Sequence, residues 1–279
     1  MGSLSPKVKQ VIAKTILQLS AGIAVAVLLG IVGYVVVKGI KVIDAEFLFG
    51  KPRSMGREGG IFPFIISSIY ITVISLLVSV PLGLGSAIYL TEYTRETWAT
   101  KVIRFGVDCL AGVPSIVLGL FGFTFFVRFL NFSWSILSGG LTVSLMILPF
   151  ILRSSEEAIR TVPKDFREVA FAVGATKWQC VTRVVLPCAL PGIVTGVILS
   201  IGKCVGETAS LIFTAGTSLR VPLSVFDSGR TLAIHFYLLV RETGANDMAY
   251  GSAAVLLISI LVINFFAYWL MRRYIARVS

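Results

Sequence analysis

The sequence predicts an all-α polytopic membrane protein with about six transmembrane helices. Three observations carry this prediction. Hydrophobic residues make up 56% of the chain and charged residues 14%, with a mean hydropathy of +0.90; soluble domains keep about a quarter of their residues charged. The apolar residues are gathered into blocks, and a block of about 18 residues can cross a hydrocarbon core. The basic residues fall between those blocks and favour one side. The net charge of +11 is therefore read as membrane topology rather than as a nucleic-acid surface.

The predicted spans are residues 16–37, 65–90, 107–129, 136–152, 192–214 and 252–269. The first is too long for the apolar core of a signal peptide and lacks a small-residue cleavage site, so it is expected to be retained. It forms an N-terminal unit with the outer loop, residues 1–60, ahead of a transmembrane unit at 61–279. Lys7, Lys9 and Lys14, then Arg95, Lys101 and Arg104, then Arg153, Arg160, Lys164, Arg167, Lys177 and Arg183, and finally Arg272, Arg273 and Arg277 share one side if both termini are cytoplasmic. A smaller set, Lys38, Lys41, Lys51, Arg53, Arg57, Arg220, Arg230 and Arg241, lies opposite. The bias places both termini in the cytoplasm. Taken singly, the outer charges read as solvated loop residues, and Arg128 as a snorkelling anchor.

Small residues mark the packing faces. Gly192/Gly196 and Gly202/Gly206 repeat every fourth position, and Thr72, Ser75, Ser79, Gly83 and Ser86 form a small or polar face on the second span; such spacing lets membrane helices approach closely. Pro81, Pro114 and Pro149 are expected to bend or end helices.

The polar segment 153–187 is patterned as helix. Pro163 suits a first turn, and Asp165 and Glu168 suit the helix N-terminus. Phe166, Val169, Ala170 and Val173 recur as one apolar stripe, and Gly174 stands where a C-terminal cap belongs. A second short helix starts near Thr176, with Trp178, Val181 and Val185 on one face, before Pro187. From pattern alone two readings stand: a helix that lays its stripe in a partner's groove, or one lying on the bilayer.

The fifth span carries two charges. Lys203 falls near the midplane at 1.5 Å per residue, where a lone charge costs about 3 kcal/mol. Glu207 is four residues on, and at 100° per residue Gly196, Ser200, Lys203, Glu207, Ser210 and Thr214 make one polar stripe. The alternatives are a structural ion pair and a helix lining a solute path, with Lys203 attracting an anion. The stripe's length favours the path.

Two resemblances follow. Glu168-Val169-Ala170, Gly174-Ala175-Thr176-Lys177-Trp178 and Val184-Val185-Leu186-Pro187 resemble the EAA loop of ABC importer permeases, with Val169 where that loop usually has Ala. The resemblance implies a type I importer permease fold whose coupling helix, through Glu168, Ala170 and Gly174 with Phe166 and Val173, docks on a separate ATPase. Ser200-Ile201-Gly202-Lys203-Cys204-Val205-Gly206-Glu207-Thr208-Ala209, together with Gly59-Gly60-Ile61, Ala87-Ile88-Tyr89-Leu90-Thr91-Glu92-Tyr93, Ala111-Gly112-Val113-Pro114-Ser115-Ile116 and Arg153-Ser154-Ser155-Glu156-Glu157-Ala158, is similar to phosphate permeases of the PstA type. That implies phosphate as cargo, with a substrate pathway through Ser200, Lys203, Glu207, Thr208 and Arg153. The implied partners are a PstC-type permease, a PstB-type ATPase dimer binding ATP and Mg, and a PstS-type phosphate-binding protein. The family usually has Arg at position 203; Lys keeps the charge without the planar fork. Arg153 has a second reading as a snorkelling anchor.

Other chemistry is not expected. Cys109, Cys180, Cys188 and Cys204 form no CxxC pair. Gly202-Lys203 has neither the glycine spacing nor the Ser/Thr of a nucleotide loop, so no cofactor is expected on this chain. His235, the sole histidine, is expected at a surface or interface. Rival readings are an ABC permease for another oxyanion, an intramembrane enzyme using Glu207, or a membrane scaffold.

Overall fold

The computed structural model describes residues 5–278. The terminal residues 1–4 and Ser279 of the two expected units, and the side chains of Lys9 and Arg277, lie outside what is described. The fold is helical throughout, apart from a two-residue ribbon, β1 (Pro52–Arg53) against β2 (Glu58–Gly59). Among the described residues, five helices are long and apolar enough to cross a membrane, or six if one bent pair is counted as a single span.

Helix α1 (Pro6–Ile40) and α12 (Asn246–Val278) pack on each other. Tyr34 meets Tyr250 edge-on at 5.9 Å between ring centroids, and Gly39 lies against Tyr250 and Ala254. Between them come α2 (Ala45–Phe49) and the ribbon. The rest of α1 is exposed along its length, as an apolar helix facing lipid should be.

The centre is α3 (Phe62–Ile88) against α6 (Ile136–Thr161) against α9 (Leu186–Val205). Thr72, Ser75, Ser79 and Gly83 are buried as the small face predicts, while Ser86 is exposed. Ser75 Oγ donates to Ile71 O at 2.8 Å and Gly140 O at 2.9 Å, so its hydroxyl joins α3 to α6. Gly192 packs on Ala158 and Gly196 on Ser154. Gly202 and Gly206 make no comparable approach to another helix, so close packing explains only the first glycine pair. Pro81 and Pro149 both lie inside helices.

Two expected spans are broken. The third splits into α4 (Trp98–Gly112) and α5 (Ser115–Gly122), bent by 101° at Val113-Pro114. Pro114 has no N–H to continue the ladder and restricts the residue before it. From α5 the chain continues through a π turn, Phe123–Phe129. The fifth span starts earlier and ends earlier than residues 192–214. Its helix runs continuously over Lys177–Val205, through α8 (Lys177–Cys180), a π turn (Val181–Val185) and α9, with Pro187 in the first turn of α9. It breaks at Gly206–Thr208, and a short α10 (Ala209–Thr214) follows. The fourth span is longer than expected, because α6 continues into the polar segment 153–187 as far as Thr161.

The connection between α10 and α12 holds α11 (Leu232–Leu238). His235 is fully buried there, not at a surface. It stacks on Phe64 at 4.0 Å between centroids, and neither ring nitrogen has a hydrogen-bond partner among the described residues. Arg230 is also buried rather than solvated; its Nε donates to Thr217 O at 3.2 Å and its guanidinium lies over Phe64. Burial, followed by the nearby Arg230 charge, pushes the His235 pKa down to about 3. In the unfolded chain the imidazole titrates near its ordinary value of about 6.5. Its contribution is therefore complete above about pH 6.5 and is lost as pH falls toward 3, by up to about 1.4 kcal/mol per pH unit. Thermal unfolding in detergent is expected to show stability falling from about pH 7 to pH 5, and His235→Leu to flatten that slope. An unchanged slope in the variant would remove His235 from the explanation.

Candidate functional site: an amphipathic helix pair and an exposed lysine

The candidate docking element is α7 (Lys164–Ala172) with α8. Pro163 lies one position outside α7, at its N-cap. The end of α7 is a complete Schellman turn. Gly174 has φ +83°, its N–H donates to Phe171 O at 3.0 Å, and the Ala175 N–H donates to Ala170 O at 3.0 Å. Thr176 and Gln179 then form a capping box, with bonds of 2.8 and 3.3 Å, that starts α8.

The expected stripe divides. Ala170 faces inward, into a cluster with Ala87, Ile159, Cys180 and Val185. Phe166, Val169 and Val173 face out, with Val173 80% exposed. Trp178 is likewise exposed, whereas Val181 and Val185 are buried, because the π turn at Val181–Val185 changes the helical register. Glu168 is exposed beside the outward residues. The result is a contiguous apolar patch with an acidic edge, anchored by one small inward residue.

The membrane-facing candidates are not one stripe. Lys203 lies two residues from the end of α9, where free carbonyl groups favour a cation. Its side chain is exposed, with Nζ 3.3 Å from the centroid of the Phe150 ring. Phe150 is fourteen residues along α6 from Ile136, roughly 21 Å at 1.5 Å per residue. The helix break separates Glu207 from this face: its Oε1 accepts from the Ser210 N–H and the Ser210 Oγ, both at 3.0 Å, at the start of α10. Lys203 and Glu207 form no ion pair among the described residues, against the ion-pair alternative, and the break also interrupts the single polar stripe that the sequence favours. Ser200 is buried, and its Oγ donates to Gly196 O at 2.9 Å. Thr208 occupies the N-cap position of α10, with Oγ1 3.4 Å from Gly206 O.

Arg153 lies one turn beyond Phe150 on α6. Its guanidinium grips the Asp108 carboxylate through Nε and Nη2, and Nη1 lies 3.5 Å from Glu156 Oε2. Glu156, with a side chain only 4% exposed, also meets Arg104 Nε and Arg160 Nη2, each at 2.8 Å. Sequence reading placed Arg104 and Arg160 only as side markers and gave Asp108 and Glu156 no role. The charged network ties α4 to α6 at one end of the bundle. Arg128 sits over Phe123 at 5.4 Å.

The exposed apolar residues of α7 and the exposed Lys203 lie on a helical chain with membrane-length spans, and comparison with known proteins identifies its family. Residues 79–279 match the family described as "Binding-protein-dependent transport system inner membrane component". The chain is 35% identical to the "Probable ABC transporter permease protein YqgI" of Bacillus subtilis (strain 168), over 96% of each chain. It is 37% identical to the "Phosphate transport system permease protein PstA" of Mycobacterium leprae (strain TN), over 75% of this chain and 69% of that one. Among solved structures, a bacterial alginate ABC transporter chain aligns with a TM-score of 0.72 at 16% identity, over 96% of each chain. A chain of the MetNI methionine ABC transporter aligns with a TM-score of 0.61 at 21% identity, over 76% of this chain and 93% of that one. These structural likenesses establish the type I importer permease fold. The chain belongs to the binding-protein-dependent transport system inner membrane component family, the polytopic permease subunits of ABC importers.

Proposed function

We propose that the chain carries inorganic phosphate inward, as one of two similar permease subunits in an ATP-driven importer. The observation that carries this reading is Lys203 exposed over Phe150, which lies one turn of α6 from Arg153, in a chain 37% identical to a PstA protein over 75% of its length. The exposed Lys203 attracts an anion, and a lysine without a planar fork holds it as a point charge, loosely enough to release it. The exposed faces of Lys203, Phe150 and Arg153 are where a second, PstC-type permease would complete the path. Ser200, Glu207 and Thr208 contribute by shaping the helix break rather than by lining one continuous stripe.

Energy comes from a separate pair of PstB-type ATPase subunits that bind ATP and Mg. They dock on Phe166, Glu168, Val169 and Val173, with Ala170 and Gly174 setting the shape of that surface. A PstS-type binding protein delivers phosphate from outside. Both termini lie in the cytoplasm, and α1 with the outer loop (residues 1–60) serves as an accessory to the transport unit at 61–279. When the ATPases close, the docking element moves and the path beside Lys203 opens outward; when they separate, it opens inward.

The test is Lys203→Gln in the assembled importer. ATP-driven phosphate uptake is expected to fall by about tenfold or more at subsaturating phosphate, the loss of one charge–anion interaction. Lys203→Arg is expected to retain uptake. Normal transport by Lys203→Gln would return Lys203 to a packing role against Phe150.

A further inference from the structure

Helix α3 is continued beyond Ile88 by a π turn, Tyr89–Tyr93, a local departure that re-aims side chains. Glu92 in that turn meets Arg167 of α7: Arg167 Nη2 donates to Glu92 Oε1 at 2.6 Å and Nε donates to the same oxygen at 3.1 Å. The two side chains are only 10% and 18% exposed, respectively. The rest of the guanidinium binds backbone. Nη2 donates to Ile159 O at 3.0 Å and Nη1 to Val162 O at 2.8 Å, the last carbonyls of α6 and its linker. Nη1 also lies 3.3 Å from Pro163 O. Arginine's five donors are thus spent on three elements at once, which lysine's ammonium cannot reproduce. A second contact runs alongside: Lys177 Nζ lies 5.1 Å from the centroid of the Tyr93 ring, joining the π turn to α8.

Arg167 sits in sequence between Phe166 and Glu168, so the residue that faces inward is flanked by two that face the docking surface. Apolar contacts beneath α7 permit sliding. A charged two-pronged pair reinforced by carbonyl bonds is directional and fixes orientation. Because α3 and α6 are bonded through Ser75 and Gly140, displacement of α7 is handed to both, and α6 carries Phe150 and Arg153.

We propose that Glu92 and Arg167 are positioning residues that transmit movement of the docking element to α3 and α6, so that ATP-driven motion of α7 reaches the transport path. This rests on the docking reading above. The test is hydrogen exchange on the full importer, wild type and Glu92→Gln, with and without ATP, with ATPase co-purification and phosphate moved per ATP measured on the same samples. In the wild type, ATP is expected to change exchange in α7 and in residues 84–94 together. In Glu92→Gln, the ATPase stays bound and α7 still responds, but residues 84–94 no longer do, and phosphate moved per ATP falls roughly fivefold or more. Arg167→Lys, which keeps a charge but loses the carbonyl bonds, is expected to show the same separation and decides the matter if Glu92→Gln does not assemble. A persistent response at 84–94 overturns the proposal. So does loss of ATPase binding and of the α7 response together, which would make the pair a structural support only. A wild-type complex whose α7 is indifferent to ATP overturns the docking reading and the transmission with it.

Discussion

Gly174→Asp is expected to abolish ATP-driven uptake while leaving the chain in the membrane. The backbone at Gly174 is left-handed, φ +83°, and a Cβ there would meet nothing within 4 Å. Asp is one of the few residues that tolerates this conformation, so the local cost is about 1 kcal/mol. The larger effect is charge. A carboxylate at the C-terminus of α7 faces the helix's own free carbonyls and stands next to Val173, which is 80% exposed in the apolar patch. Burying it unpaired against a partner costs about 2–4 kcal/mol, which weakens docking by roughly a hundredfold. Gly174→Asn tolerates the same backbone without the charge and is expected to keep most uptake. Co-purification of the ATPase with each variant separates the effects; Asp and Asn behaving alike would make backbone shape, not charge, the cause.

Glu156→Gln is expected to produce the largest loss of stability. The carboxylate is almost wholly enclosed and is shared by Arg104, Arg153 and Arg160. Arg104 is only 16% exposed, and its other partner, Glu96, lies at the surface. Removing the central charge leaves a half-buried cluster of guanidinium groups short of a counter-ion. Breaking a buried pair from one side costs about 3 kcal/mol or more; the half-exposed Arg153 and Arg160 add little beyond that because water screens them. A lowered unfolding temperature in detergent, with little dependence on salt, is the expected signature. Removing the exposed Arg53–Glu46 pair should change almost nothing. Equal effects from the two changes would contradict the account of the cluster.

The features legible in the sequence were those written in local chemistry. Gly174 after the α7 stripe, the Thr176 start of α8 and the buried small face at Thr72, Ser75, Ser79 and Gly83 each follow from residue type and spacing within a few positions. The failures share a cause. Polar residues on both sides of Gly206 keep a helical spacing, so periodicity ran straight through the break that frees Lys203 from Glu207. Pro114 announced a bend but not its 101° angle, which depends on what α4 packs against. Arg153 with Asp108, and Arg167 with Glu92, are pairs separated by 45 and 75 residues, which no local pattern records. His235 lies in a segment without periodicity, and only the fold stacks it under Phe64. Of the charges counted as side markers, Arg104 also joins α4 to α6 through Glu156, whereas Arg160 meets Glu156 within α6.

The central claim is that this permease moves phosphate, driven by an ATPase docked at α7. It is tested most directly by reconstituting the chain in proteoliposomes with a PstC-type permease, a PstB-type ATPase and a PstS-type binding protein, and following radiolabelled phosphate uptake against excess sulfate or molybdate. The account predicts uptake that requires ATP and the ATPase, is suppressed by unlabelled phosphate, and is unaffected by sulfate and molybdate. Uptake persisting without the ATPase, or sulfate or molybdate entering in place of phosphate, would contradict it.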